Sequence, residues 1–319
     1  MAVSDVGPDQ PPSTSPNHRA LMVLAFAAVY LIWGSTYLAI RVGVRSIPPF
    51  LMAGCRFVGA GSLLYALLRA RGTPAPSRGE WARAALAGLL MLTTGNGLVS
   101  WAERQVPSNV AALIVAAVPL YMALLDWARP GGRPPARRVM IGIGIGAAGM
   151  VLLVSGGHDS SREVSVVGMG AILVSGLAWS AGSLYARYGR MHAHPVMAAA
   201  QQMLAGGAAM LAIAALRGEP AAVARAGVTR ESALALGYLM VFGSMVAFSA
   251  FGWLVKATTP TRISTVAYVN PVVAVILGWA ILDERLGPRA IAGATLILVA
   301  VLAMTLRVPA RRAHVAAKV

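Results

Sequence analysis

Charged side chains are scarce in this sequence, and acidic side chains are the scarcest. Only 12% of the 319 residues are charged, against roughly 25% in a typical soluble domain, whereas 57% are hydrophobic. A chain with so few ionisable groups lacks the polar surface of an ordinary soluble protein. This shortage excludes a water-soluble globule and indicates a protein whose solvent is lipid.

Cysteine is also rare, and several catalytic motifs are missing. The single cysteine, Cys55, excludes an intramolecular disulfide, and there is no CxxC motif for zinc or redox chemistry. The motifs HExxH, GxSxG and GxxxxGK[ST], which are typical of metalloproteases, serine hydrolases and phosphate-binding loops, are absent as well. We therefore expect no enzyme activity, no cofactor and no bound metal.

The charge that is present is strongly basic. Lys and Arg number 27 against 11 Asp and Glu, which gives a net charge of +16. Such an excess is common in nucleic-acid-binding proteins, but here the basic residues form short clusters between apolar runs, as in membrane proteins with cytoplasmic basic loops. We predict contact with a lipid bilayer and not with nucleic acid. Counting basic residues on the two sides favours a multi-pass protein of the cell (inner/plasma) membrane with both termini cytoplasmic.

Ten apolar stretches are long enough, or nearly so, to cross the ~30 Å core of a bilayer as helices. They are continuous rather than alternating in polarity, which favours helices over barrel strands. The stretches are 21–40, 50–68, 84–102, 110–127, 139–154, 166–186, 196–216, 232–255, 263–282 and 290–306. The predicted fold class is an all-α integral membrane protein with ten transmembrane helices.

An internal repeat divides these stretches into two sets of five. Overlaying 118–137 on 270–289 pairs Trp127 with Trp279, and a second overlay pairs Trp33 with Trp179. For this second overlay two registers fit equally well. Because five spans is an odd number, the second set enters the membrane from the opposite face, which gives an inverted 5+5 repeat. Secondary transporters use this design to open alternately to the two sides of the membrane.

Polar and aromatic residues inside the predicted spans are the candidate substrate-binding residues. A group of polar and aromatic residues in the first span, 33–37, is matched by a less polar group in the sixth span, 177–190. This similarity suggests that both groups line a shared cavity. The alternative for each residue is interhelical hydrogen bonding, worth ~0.6 kcal/mol on average. The full set is Trp33, Ser35, Thr36, Tyr37, Arg56, Asn96, Trp179, Gln202, Tyr268 and Asn270.

Two ionisable residues, Arg56 and Asp126, lie inside the predicted spans. Such groups are costly in lipid and are functional candidates by default. The planar guanidinium of Arg56 suits a substrate carboxylate or phosphate, or else it hydrogen-bonds helix carbonyls and stabilises the fold. Asp126 fits better as an interfacial partner of Arg129 or Arg133.

Acidic residues and histidines, which proton coupling normally uses, are missing from the middle of the spans. Glu103, Asp283 and Glu284 are predicted to lie at outer ends. Counter-transport of a proton or of a second substrate molecule therefore stays open, as do uniport and the oligomeric state.

Three stretches in order, WGSTYLAIR…IPPFLMAGCRF (33–57), NVAALIVAAVPLYMALL (109–125) and YVNPVVAVILGWAILDERL (268–286), resemble the drug/metabolite transporter (DMT) superfamily. More narrowly, the chain resembles two tandem EamA domains. The resemblance implies a ten-helix bundle around a central cavity and export or exchange of small metabolites. One departure is that the acidic residues ending the ninth span, Asp283 and Glu284, correspond to Gly131 and Gly132 in the first half.

The predicted organisation follows from the repeat and the resemblance. It comprises a disordered N-terminal tail (1–18), a first EamA-like five-helix repeat (19–155), a polar linker (156–165), a second repeat (166–306) and a basic C-terminal tail (307–319). The predicted function is a secondary transporter that exports or exchanges small organic metabolites or drugs by alternating access. The alternative is a membrane-embedded enzyme or a membrane sensor that does not transport.

Overall fold

The computed structural model describes residues 16–132, 134, 137–155, 165–258, 266–284 and 286–305, and every regular element in these ranges is a helix. Residues 1–15 of the predicted tail, 156–164 of the linker and the whole basic tail lie outside the described residues. The first helix begins at Pro16, within the segment 1–18 that is predicted as the N-terminal tail. The helices are α1 (Pro16–Gly43), α2 (Pro49–Ala70), α3 (Arg78–Ala102), α4 (Ser108–Ala128), α5 (Arg137–Ser155), α6 (Val166–Tyr188), α7 (Pro195–Leu216), α8 (Glu219–Ala226), α9 (Arg230–Ala257), α10 (Val266–Leu282) and α11 (Pro288–Thr305).

Seven of these helices are long and apolar enough to cross a membrane, namely α1, α2, α3, α4, α6, α7 and α9. Helices α10 and α11 contain shorter apolar segments, Val269–Leu282 and Ile291–Ala300. Many large apolar side chains, such as Leu24, Val151 and Trp279, are exposed on the surface of the bundle. A surface of this kind is stable in lipid and not in water. The all-helical, membrane-embedded fold is thus confirmed, whereas α8 was not expected from the sequence.

The helix starts follow from local sequence. Helices α2 and α7 each have 22 residues and begin at a proline, Pro49 and Pro195, whose fixed φ angle suits the first helical turn. Helix α3 is capped by Ser77, whose hydroxyl accepts from the backbone N–H of Glu80 in a reciprocal capping box. Helix α9 begins similarly, with the Thr229 hydroxyl accepting a backbone hydrogen bond.

Three of the long helices contain a π-helical stretch. In α1 it covers Val29–Trp33, in α3 Leu89–Asn96 and in α9 Leu239–Val246. The stretches in α3 and α9 are both eight residues long and occupy similar places in the two halves of the chain. Such stretches widen a helix locally and occur frequently at functional sites.

Helices from the two halves pack in a reciprocal pattern. Helix α2 lies along α7 and α5 lies along α11, while α1 contacts α9 and α10 just as α6 contacts α3 and α4. Small residues allow the closest approaches: a Cβ added at Gly206 of α7 would lie 2.7 Å from the carbonyl oxygen of Gly88 in α3. Glycine at such crossings lets helix backbones meet without large side chains between them.

Polar contacts at the two ends of the bundle join different sets of loops. At one end the backbone N–H of Leu51 donates to a Glu219 carboxylate oxygen at 2.8 Å, and Thr229 is bonded to Ser46 at 3.0 Å. At the other end, Arg83 donates to the carbonyl oxygen of Arg190 at 2.7 Å. The loops after α1 and α7 therefore share one end of the bundle, whereas the loop before α3 and the loop after α6 share the opposite end.

Candidate functional site

An aromatic cluster joins the two halves of the chain inside the bundle. Trp33 of α1 and Trp179 of α6 meet at right angles, with ring centroids 6.1 Å apart. The Phe251 ring of α9 lies tilted to the Trp33 ring with centroids 4.8 Å apart, and the Phe248 ring centroid lies 6.3 Å from that of Trp33 and 6.4 Å from that of Trp179. Edge-to-face and tilted pairs at these distances are attractive beyond the area that they bury. Both tryptophans chosen from the sequence thus lie in one cluster.

The π-helical stretch of α9 anchors the same region through Gly243 and Ser244. The indole N–H of Trp33 donates to the carbonyl oxygen of Gly243 at 3.2 Å, and Nε of Arg56 donates to the hydroxyl of Ser244 at 2.7 Å. Arg56 is only 4% exposed, and its guanidinium lies 4.6 Å from the ring centroid of Phe57. Arg56 therefore connects α2 to α9 directly beside the tryptophan contact.

The other candidate residues of α1 are Ser35, Thr36 and Tyr37, and their side chains contact two different regions of the bundle. The Ser35 hydroxyl lies 2.6 Å from the Tyr238 hydroxyl of α9, and the buried Thr36 hydroxyl donates to the carbonyl oxygen of Trp33 at 2.6 Å. Tyr37 instead packs against a separate apolar cluster of α3, α4 and α6. Ser35 and Thr36 thus stay with the Trp33 side of α1, and Tyr37 faces away toward the end of α3.

The candidates of the second half lie at helix crossings. Gln202 is buried, and its backbone carbonyl packs against Gly88 of α3. Asn270 is buried too, and a Cβ added at Gly34 would lie 3.2 Å from its backbone carbonyl oxygen, so α1 and α10 meet closely there. The side chain of Tyr268 lies outside the described residues.

Several buried polar atoms have no hydrogen-bond partner within the part of the chain that the structure describes. A buried polar group without a partner costs free energy, so such atoms call for water or a ligand. They belong to the side chains of Asn96, Ser100, Glu103, Asn109, Ser183, Gln201, Ser249 and Asn270. Two of the predicted residues, Asn96 and Asn270, are among them.

Glu103 directly follows Ala102, the last residue of α3. What the sequence did not indicate is its burial: Glu103 is 0% exposed, and both its carboxylate oxygens are among the unpartnered atoms. The Arg41 guanidinium donates to its backbone carbonyl oxygen. The charged side chains that act on its carboxylate are those of Arg41, Arg56 and Glu284.

The other acidic residues of interest bind neighbouring protein groups. Asp126 accepts from Nε of Arg129 at 2.7 Å, as the sequence predicted, and from the Tyr188 hydroxyl at 2.7 Å. Its hydrogen bond raises the pKa of the Arg129 guanidinium above the usual value. Glu284 accepts from the backbone N–H and hydroxyl of Ser108 at 3.0 and 2.7 Å and so caps the start of α4. The acidic residue after α10 thus holds a helix end of the first half.

Comparison with known proteins agrees with this architecture. The model of the EamA-like transporter family matches the chain twice, over residues 20–155 and 166–306. A relative from Escherichia coli strain K12, named uncharacterized inner membrane transporter YedA, is 41% identical over 285 residues, which cover 88% of this chain and 90% of the relative. The uncharacterized transporter YoaV of Bacillus subtilis is 24% identical over 277 residues, covering 86% and 94% of the two chains.

A solved crystal structure supports the fold. It aligns with a TM-score of 0.64 at 21% sequence identity, covering 90% of this chain and 97% of the other. A likeness at this identity concerns the fold alone. The two family matches, together with the similarity to YedA, establish that the chain is a multi-pass membrane protein of the drug/metabolite transporter superfamily and belongs to the EamA-like transporter family.

Proposed function

We propose that this protein is a secondary transporter of the cell membrane that exports or exchanges small organic molecules by alternating access. The observation that carries the proposal is the contact between Trp33 and Trp179 at 6.1 Å. Each tryptophan lies in the first helix of a separate EamA match. A binding site between two inverted halves is the arrangement that lets a rocking motion expose it to either side.

The chemistry of this region favours amphiphilic substrates. Aromatic side chains of α1, α2, α6 and α9 pack in one cluster, and the cation Arg56 is buried beside it against Ser244. Aromatic faces bind apolar bodies and rings, while the unpartnered amide of Asn96 and hydroxyl of Ser249 supply polar contacts. A membrane-embedded enzyme is the less favoured alternative, because the relatives are named transporters.

The inverted 5+5 arrangement of ten crossings is part of the proposal, with both termini in the cytoplasm. It is supported by the reciprocal packing of the two halves and by the separation of polar loop contacts between the two ends of the bundle. The expected result for cysteine labelling, in a Cys55→Ser background, is that Ala75→Cys reacts only from the cytoplasmic side and Ala224→Cys only from outside. Both positions are exposed in the structure. Labelling of both cysteines from the same side would contradict the arrangement.

Arg56→Ala is expected to lower the transport rate about tenfold or more at unchanged membrane expression. The reason is the loss of the proposed hydrogen bond between the guanidinium and the substrate, since a hydrogen bond to a charged group contributes ~1.5–3 kcal/mol. Arg56→Lys keeps the charge but not the planar fork, and we expect an intermediate rate. The measurement is uptake into vesicles, normalised to folded protein. A parallel loss of folded protein and transport would instead assign Arg56 a purely structural role.

The function itself is tested by a sensitivity screen. A deletion strain with and without the gene is exposed to a panel of metabolite analogues and drugs, and compounds whose toxicity depends on the gene are then assayed as radiolabelled solutes in vesicles containing the purified protein. We expect at least one compound to move. If no panel member moves and a hydrolytic activity copurifies with the protein, the transporter proposal fails.

A further inference from the structure

Three polar side chains form a line along one face of α3. Asn96, Ser100 and Glu103 are spaced by about one helical turn each, so their side chains project in the same direction. All three carry a buried side-chain oxygen without a hydrogen-bond partner in the described ranges. The line runs from the end of the π-helical stretch, whose Gly95 contacts the Trp179 side chain, to the loop at the outer end of the proposed topology.

Glu103 at the end of this line lies among several titratable and charged groups. The groups that interact electrostatically with Glu103 are Tyr37 and Arg41 of α1, Arg56 of α2 and Glu284 after α10. Within the described residues the Glu103 carboxylate oxygens accept no hydrogen bond. Arg41 donates to the backbone carbonyl oxygen of Glu103, and Arg56 donates to Ser244. The nearby Glu284 carboxylate adds repulsion.

In this environment the protonation state of the Glu103 carboxyl group depends on its access to water. An ionised carboxylate that is removed from water and receives no hydrogen bond costs several kcal/mol, whereas the neutral acid costs much less. In the closed arrangement around Glu103 the neutral form is therefore favoured. Access to water, or a direct contact with either arginine, favours the ionised form.

We propose that Glu103 binds the coupling proton of the transport cycle and that Ser100 and Asn96 position the water through which this proton reaches the centre of the bundle. The inference rests on the proposed transporter function. When the outer end opens, water protonates the carboxylate. When the outer end closes, the proton stays on the acid. When the inner side opens, the proton leaves along the α3 face to cytoplasmic water, and the carboxylate that is left is balanced by Arg41 and Arg56.

The protonation of Glu103 is tested without any substrate. Infrared spectra of the full chain in lipid nanodiscs at neutral pH should contain a protonated-carboxyl band that Glu103→Gln removes. The matched control is Glu231→Gln, because Glu231 is exposed, and it should leave the band unchanged. If Glu103→Gln does not fold, Ser100→Ala should shift the band by changing its surroundings. A wild-type spectrum without the band, or a band unaffected by both changes, overturns the proposal.

The coupling role is tested in vesicles with the compound from the sensitivity screen that shows the strongest wild-type uptake. For one proton per substrate, wild-type protein should accumulate this compound about tenfold per unit of pH difference. Glu103→Gln should retain exchange of the compound but lose the response to the pH gradient. Wild-type uptake with an unchanged pH response in Glu103→Gln overturns the coupling role alone. Failure of every compound to move in the wild type overturns the proposed function and the coupling role with it.

Discussion

Trp33→Ala is expected to lower transport at least a hundredfold. The change removes ring contacts with Trp179, Phe248 and Phe251 and the hydrogen bond to Gly243. Trp33 is partly buried in this cluster, and a hundredfold loss corresponds to about 2.8 kcal/mol of substrate binding, since each 1.4 kcal/mol is about tenfold in affinity. The measurement is vesicle uptake together with the thermal unfolding midpoint in detergent. Trp33→Phe keeps a ring but not the N–H donor, and we expect it to retain part of the activity.

A second tryptophan supplies the control for this prediction. Trp279 of α10 is 62% exposed on the outer surface of the bundle, so Trp279→Ala removes a similar side chain without touching the aromatic cluster. We expect near-normal uptake. If Trp33→Ala and Trp279→Ala lost the same fraction of uptake, the effect of Trp33→Ala could not be assigned to the aromatic cluster.

Gly88→Val is expected to abolish the folded state or to lower its thermal unfolding midpoint by several degrees. A side chain at this position of α3 would overlap the backbone carbonyl of Gln202 in α7. Because the obstacle is backbone and not the end of a flexible side chain, the helices would have to separate. Overpacking in a well-packed region typically costs ~1–3 kcal/mol and occasionally more. Size-exclusion chromatography of the solubilised protein and its thermal midpoint are the measurements.

The matched control is Gly237→Val, at a similar place just before the π-helical stretch of α9. Nothing lies within 4 Å of a Cβ added at Gly237, so the change should leave the folded fraction nearly unaltered. If Gly88→Val is tolerated as well as Gly237→Val, the close crossing of α3 and α7 does not hold the two halves together.

The aromatic contact could be predicted from sequence because both halves carry the same unusual residue. Trp33 and Trp179 each interrupt an apolar run with polar neighbours, and the proposed inverted repeat places their two helices at a common interface. The repeat alone could not fix the alignment of these two spans. Their contact depends on side chains such as Phe248, which lies in a third helix and contacts both rings.

The burial of Glu103 could not be inferred from local pattern. The apolar run ends at Ala102, which places the next residue at a membrane boundary, and the burial of Glu103 comes from tertiary contacts such as the hydrogen bond from Arg41 of α1 to its backbone carbonyl oxygen. The π-helical stretches were missed for a related reason. A change in backbone hydrogen bonding within LLMLTTGN or LMVFGSMV has no compositional signature. Helix α8, with eight residues, is too short for a hydropathy window to detect.

The most direct test of the central claim, secondary transport at the interface of the two halves, is counterflow in vesicles without any ion gradient. Vesicles containing the purified protein are loaded with an unlabelled compound from the screen, and entry of the radiolabelled compound is followed over time. We predict a transient accumulation of label above equilibrium for the wild type and for Trp279→Ala, and none for Trp33→Ala. The account would be contradicted if the wild-type protein moved the compound without transient accumulation of label. It would also be contradicted if Trp33→Ala accumulated as much label as the wild type.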